Sequence, residues 1–182
     1  MTPRVSPFDP ISASPEQRQA YDEFVSDRGG DIGAPGGVYD VIMRSPQAAR
    51  RLAALGAFCR FATGLDPRVV EAAILATSHA LPFQYGIDSH EDIGRRAGLT
   101  DGQLGHLRAG DHRELPEPLR LAADLGRAAA GGEVPAALVT EAIARFGETS
   151  VVDLSVVVGY YGALCLVARC LNPELAGGQA HP

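Results

Sequence analysis

The stretch EAAILATSHALPFQYGIDSH, from Glu71 to His90, decides the fold. Ahead of it, Asp66-Pro67 places a capping carboxylate before a proline at the first helical position. A helix is therefore expected to start there and to carry Glu71 in its second turn. Pro82 ends that helix, because the residue before a proline is pushed out of the α region. The same proline suits the first turn of a second helix, running to Ala97 with Gly98 as its stop. On that second helix Phe83, Gly86, Ile87, His90 and Gly94 recur every three or four residues, so they share one face.

Outward from this pair of helices, the chain reads as helical throughout. Ser14-Pro15-Glu16-Gln17 is a capping-box pattern, and a helix with Tyr21, Phe24 and Val25 on its apolar side follows to Gly29-Gly30. Asp31 to Gly37 is rich in glycine but lacks the lysine and hydroxyl of a phosphate-binding loop, so it is expected to be a plain loop, shaping one wall of a pocket. Val38 to Arg44 reads as a short helical turn. Ser45-Pro46 opens a longer helix to Ala62 whose buried side is expected to be Leu52, Leu55, Ala57, Phe58, Phe61 and Ala62. Thr100-Asp101-Gly102-Gln103 is a further capping box, and helices are expected over 119–130 and 135–146.

The last helix, from Thr149 or Ser150 to Asn172-Pro173, is apolar all round. Only fifteen residues separate Asp153 from Arg169, against the roughly 20 that a span requires. It therefore reads as a central core helix that continues into a subunit interface, and no membrane partner is expected. The fold class is all-α, a bundle of roughly seven or eight helices. Residues 1–13 are expected to form an extended arm anchored by Phe8 and Ile11, residues 14–176 a single helical domain, and residues 177–182 a disordered tail.

Composition narrows the partners. A net charge of −6 without any basic run argues against nucleic acid, which is held by clustered lysine and arginine. The N-terminus has neither the basic start nor the apolar run of a secretory signal, so a cytoplasmic location is expected. Three cysteines in that setting read as reduced and structural. Cys165 and Cys170 point about 140° apart on a helix, which suits no disulfide.

The spacing from Glu71 through positions 83 and 86 to His90 matches Glu-x11-Cys-x2-Cys-x3-His, with Phe83 and Gly86 at the cysteine positions. This resembles the carboxymuconolactone decarboxylase and AhpD-like superfamily. Gln84-Tyr85, His90-Glu91 and Arg96-Ala97-Gly98-Leu99-Thr100 resemble its cysteine-free branch, and a second match lies at Gly159-Tyr160-Tyr161 with Leu171-Asn172. The resemblance implies an AhpD-like bundle, assembled as a homo-oligomer (trimer, hexamer or dimer). It also implies that Glu71 faces His90 across the helix pair.

Three chemistries compete for this site. The thiol mechanism needs two cysteines one turn apart, and Phe83 and Gly86 carry no sulfur. Metal binding is superficially suggested by His90-Glu91, but the position four after His90 is Gly94, and His79, Asp88 and Asp92 would have to complete a site through tertiary contacts. Neither a metal nor a cofactor is expected. Acid-base chemistry is preferred: His90 suits proton transfer near neutrality, Glu71 would orient it, and Tyr85 would donate to an oxyanion or carboxylate. Phe83, Gly86, Ile87, Gly94 and His79 are the expected substrate-binding residues. The two helical glycines either leave room for a ligand or admit a neighbouring helix.

The apolar stripe favours a hydrophobic or aromatic-derived small molecule, and Arg60, Arg95 and Arg96 are possible sources of positive charge. The expected activity is that of a carboxymuconolactone decarboxylase-like lyase or isomerase, by decarboxylation, isomerisation or lactone chemistry. The alternatives are a thiol-dependent antioxidant using Cys59 and a catalytically silent oligomeric binding protein. His106, His112 and His181 are expected to be exposed.

Overall fold

The structure is a computed structural model that describes residues 4–27 and 37–172. The glycine-rich loop over 31–36, His181 and the expected tail over 177–182 lie outside the described residues. Among the described residues there are nine α-helices and no strand: α1 (Pro15–Asp27), α2 (Val38–Ile42), α3 (Pro46–Phe61), α4 (Pro67–Ala80), α5 (Gln84–Ala97), α6 (Asp101–Ala109), α7 (Glu117–Gly131), α8 (Ala136–Phe146) and α9 (Glu148–Leu171). The chain divides into two compact units, one of residues 1–58 with 166–182 and one of residues 59–165.

In the first unit the N-terminal segment lies along its own helices. The Phe8 ring stacks on Tyr21 with centroids 5.4 Å apart, and the Phe8 N–H donates to the Asp40 carbonyl at 2.7 Å. The Arg44 guanidinium donates to the carbonyls of Ser6 and Pro7 at 2.9 and 2.5 Å. Phe8 is thus an anchor, whereas Ile11 is 90% exposed and anchors nothing.

The second unit is organised on α4. Asp66 caps it by accepting the Arg68 N–H at 2.9 Å, with Pro67 at the first helical position. Every residue from Val69 to Ser78 is buried, because α5, α6 and α7 all pack on this one helix. Small side chains on α4 let its neighbours approach: Ala72, Ala73 and Ala76 sit in the core with Leu104, Leu107, Ala122, Ala123 and Leu154. At Gly126 of α7 an added Cβ would meet the Ala73 carbonyl oxygen at 2.6 Å, so that glycine sets the α4–α7 distance. The Thr100–Gln103 capping box forms in full at the start of α6. Gly98 ends α5 with φ of 105°, a left-handed value that favours glycine.

Three expectations need correction. Phe83 is the N-cap of α5, so Pro82 precedes the helix instead of entering its first turn. The buried stripe of α3 is Ala49, Ala53, Gly56 and Cys59, while Leu55, Ala62 and Phe61 (65% exposed) face outward. Small residues at helical spacing satisfy the same periodicity as large ones, and here the small face is covered. Helix α9 is not buried on every side: Val152, Ser155, Gly159, Ala163 and Leu166 form an exposed stripe. The helix is long and apolar enough to cross a membrane, but half of its most apolar window is buried within the fold. The helix buried on every side is α4, over Val69 to Ser78, whose length is modest and whose alanines are weak markers of hydrophobicity.

Candidate active site

Glu71 and His90 meet. From α4 and α5, the Glu71 carboxylate Oε2 lies 2.8 Å from His90 Nδ1. The pair is buried, with Glu71 5% and His90 8% exposed. An ionised carboxylate only accepts, so Nδ1 carries the proton and the neutral ring holds its lone pair on Nε2. Nδ1 is the one His90 ring nitrogen with a protein hydrogen bond among the described residues. This geometry follows from local sequence: the break at Leu81-Pro82 folds α5 back on α4, and the helical period turns both side chains to the shared face.

The rest of the α5 stripe is buried as expected, and it is filled by the protein itself. An added Cβ at Gly86 would meet the Phe83 ring at 2.5 Å, and one at Gly94 would meet Leu99 Cδ1 at 3.0 Å. The small size of these glycines therefore serves packing, and the space beside them is not open to a ligand. Ile87 is buried in the same face.

Tyr85 is half-buried, and its ring centroid lies 6.1 Å from that of Phe83. The tyrosine at His90 is Tyr161 of α9, edge-on with centroids 4.8 Å apart, and Tyr160 packs edge-on against Tyr161 at 5.0 Å. Nothing local marks Tyr161 as a site residue. Its one signal is the second match of the resemblance, Gly159-Tyr160-Tyr161.

His79 stands at the other end of α4, half-buried, and burial holds its imidazole below the usual histidine range. Its Nε2 is buried without a hydrogen-bond partner among the described residues. His112, expected at the surface, is 5% exposed: its Nδ1 lies 2.8 Å from the Asp124 carboxylate of α7. A pairing twelve residues away leaves no local trace, which is why a polar loop residue reads as exposed.

Two of the three possible cationic groups, Arg95 and Arg60, are engaged elsewhere. Arg95 bonds Asp92 at 2.9 Å and Asp101 at 3.1 Å, and the Arg60 guanidinium lies over the Phe61 ring. Next to His90 on the chain, Glu91 turns to α6 and accepts from Arg108 at 2.7 Å. Cys59 and Cys165 are buried, Cys170 is exposed, and none of the three is in a disulfide. Burial pushes the Cys59 thiol up to about 11, which keeps it protonated and a poor nucleophile.

No curated protein and no solved structure matches the chain. The model of the carboxymuconolactone decarboxylase family matches residues 46–113, a span that runs from α3 through α6 and contains both Glu71 and His90. This region, which holds both Glu71 and His90, is what the chain shares with the carboxymuconolactone decarboxylase family.

Proposed function

We propose that this protein is a cofactor-independent enzyme that uses His90 as acid-base residue, with Glu71 as its orienting carboxylate. Its substrate is a hydrophobic or aromatic-derived small molecule, and its reaction is decarboxylation, isomerisation or lactone chemistry. The observation that carries this reading is the 2.8 Å contact between Glu71 Oε2 and His90 Nδ1 in a buried setting. With Nδ1 held by the carboxylate, Nε2 takes a proton from an acidic carbon or hydroxyl, and Glu71 stabilises the imidazolium that forms. Tyr161, edge-on to the ring, takes a positioning role, and Tyr85 keeps the proposed role of polar contact to the substrate.

The working protein is proposed to be a cytoplasmic homo-oligomer. The exposed stripe of Val152, Gly159 and Ala163 on α9 supports self-association, since small residues let two helices approach closely. The thiol-dependent reading loses support from the buried, protonated Cys59. The reading as a silent binding protein gains support from one observation: neither of the two cavities described for this chain includes His90 among its lining residues.

The test is a panel of carboxylated lactones and enol-lactones derived from aromatic rings, followed by ultraviolet absorbance and mass spectrometry. A positioned general base is worth ~10²–10⁴ in rate. Turnover by the native protein that falls by that factor in His90→Gln, at unchanged helix content, is the expected result. Turnover indifferent to His90→Gln, or no turnover across the panel, would sink the enzymatic reading and leave the binding protein.

A further inference from the structure

A cavity of about 410 Å³ lies away from the dyad, where the C-terminal ends of α4, α6 and α7 converge. His79, His112, Arg108 and Arg127 line it, with Leu107 and Ala130 among the apolar walls. We infer that this cavity is a second ligand site, which takes a small organic carboxylate with an apolar body.

Two unfilled valences point to an occupant. Nε2 of His79 and Nε2 of His112 are both buried without a hydrogen-bond partner among the described residues. A buried polar atom left in that state costs roughly 1–3 kcal/mol, so a group that supplies the partner binds with that advantage. The His112 ring is already oriented, because Asp124 accepts at its Nδ1. Its Nε2 keeps a lone pair, whereas burial favours a neutral His79 ring, which can place its proton on Nε2 and donate to an anionic group.

The sign of the ligand follows from the charges. No carboxylate lines the cavity. Arg127 donates to the Gly110 carbonyl at 2.5 Å and, among the described residues, has no carboxylate partner. Arg108 keeps a bond to Glu91. The converging helix ends oppose an anion, but each contributes only about 0.3–1 kcal/mol and Arg127 already covers the end of α6. The guanidinium charge of Arg127, with no carboxylate on it, outweighs them. A metal is the weaker assignment: the two arginines repel a cation, and among the described residues no three His, Cys, Asp or Glu side chains converge. The apolar walls favour a carboxylate on a hydrocarbon body over a fully hydrated inorganic anion.

The experiment follows the imidazole nitrogens of the full chain, labelled with ¹⁵N at histidine, during titration with sodium benzoate. Benzoate is expected to shift the His79 and His112 resonances saturably and to leave His90 unmoved. Arg127 is exposed, so Arg127→Gln should fold normally and weaken benzoate about tenfold, the loss expected for one charge-assisted bond. Four results would overturn the assignment: no shift at millimolar benzoate, which means a cavity holding water only; a shift confined to His90; unchanged affinity in Arg127→Gln; or an equal response to inorganic phosphate. Equimolar Zn²⁺ shifting both rings where benzoate does not would make it a metal site instead. Because His90 reports separately, failure here is distinguishable from failure of the acid-base reading.

Discussion

Gly126→Ala should be the most damaging single-methyl change in the second unit. The new Cβ would sit 2.6 Å from the Ala73 carbonyl oxygen and 2.7 Å from Thr77 Oγ1. The first of these is backbone inside α4 and cannot swing away. Overpacking of this kind costs about 1–3 kcal/mol. Thr77 Oγ1 also donates to Ala73 O at 2.8 Å, and displacing it adds about 1 kcal/mol. Alanine returns about 1 kcal/mol of helix propensity. The balance is a loss of about 1–3 kcal/mol, or a fall in Tm of roughly 2–12 °C for a chain of this size. Gly131→Ala is the internal control: it lies on the same helix, with nothing within 4 Å of its added Cβ, and should be neutral or stabilising by several tenths of a kcal/mol. Paired thermal melts followed by circular dichroism decide the matter. A Gly126→Ala protein as stable as its Gly131→Ala counterpart would refute the claim that this glycine sets the α4–α7 spacing.

Other expectations follow from the same geometry. Glu71→Gln should lower turnover through loss of the orienting charge while the melting temperature moves little; an unaffected rate would remove Glu71 from the mechanism. Under native conditions a thiol reagent should label Cys170 and spare Cys59 and Cys165, so that labelling of all three would contradict their burial. The Cys59 thiol is raised from 9.0 to about 11, so its contribution is intact below pH 9 and is lost as pH rises through 11. Cys59→Ala should flatten that alkaline decline, by roughly 3 kcal/mol at most. His79 is held low by burial, so its contribution is present above about 6.5 and disappears as pH falls through its folded value. His79→Gln should therefore make acid unfolding less steep, as read by urea titrations across the acid range.

Features written in adjacent residues are legible in the sequence alone. Asp66-Pro67, the Thr100–Gln103 box and Gly98 each state a helix end in local chemistry, and each forms as read. The Glu71–His90 contact is reachable because the helical period and the resemblance agree on one face. Features that depend on what lies opposite are not legible. The α3 stripe of Ala49, Ala53 and Cys59 is buried by its surroundings, not by its own hydrophobicity. His112 is drawn inside by Asp124, a partner on another helix. Gly86 and Gly94 admit two meanings in the sequence, and only the positions of the Phe83 ring and Leu99 choose packing over open space.

A Glu–His pair is a poor device for merely joining α4 to α5. Removing two ionisable groups from water costs several kcal/mol per charge, and an apolar pair of equal volume commonly holds a core as well or better. The face around the pair shows no shortage of such contacts: Phe83 lies on Gly86, Leu99 on Gly94, and Ile87 is buried beside them. Glu71 is itself buried, so little water reaches its carboxylate, which strengthens its hold on Nδ1. Tyr161 meets the imidazole edge-on at 4.8 Å and limits how the ring can turn. A fixed tautomer, a fixed ring plane and a dry neighbour are together what a general base needs. Phe83 and Gly86, at the two cysteine positions of the resembled motif, carry no sulfur for a two-thiol redox route, and proton transfer at Nε2 is the chemistry we propose for the remaining pair.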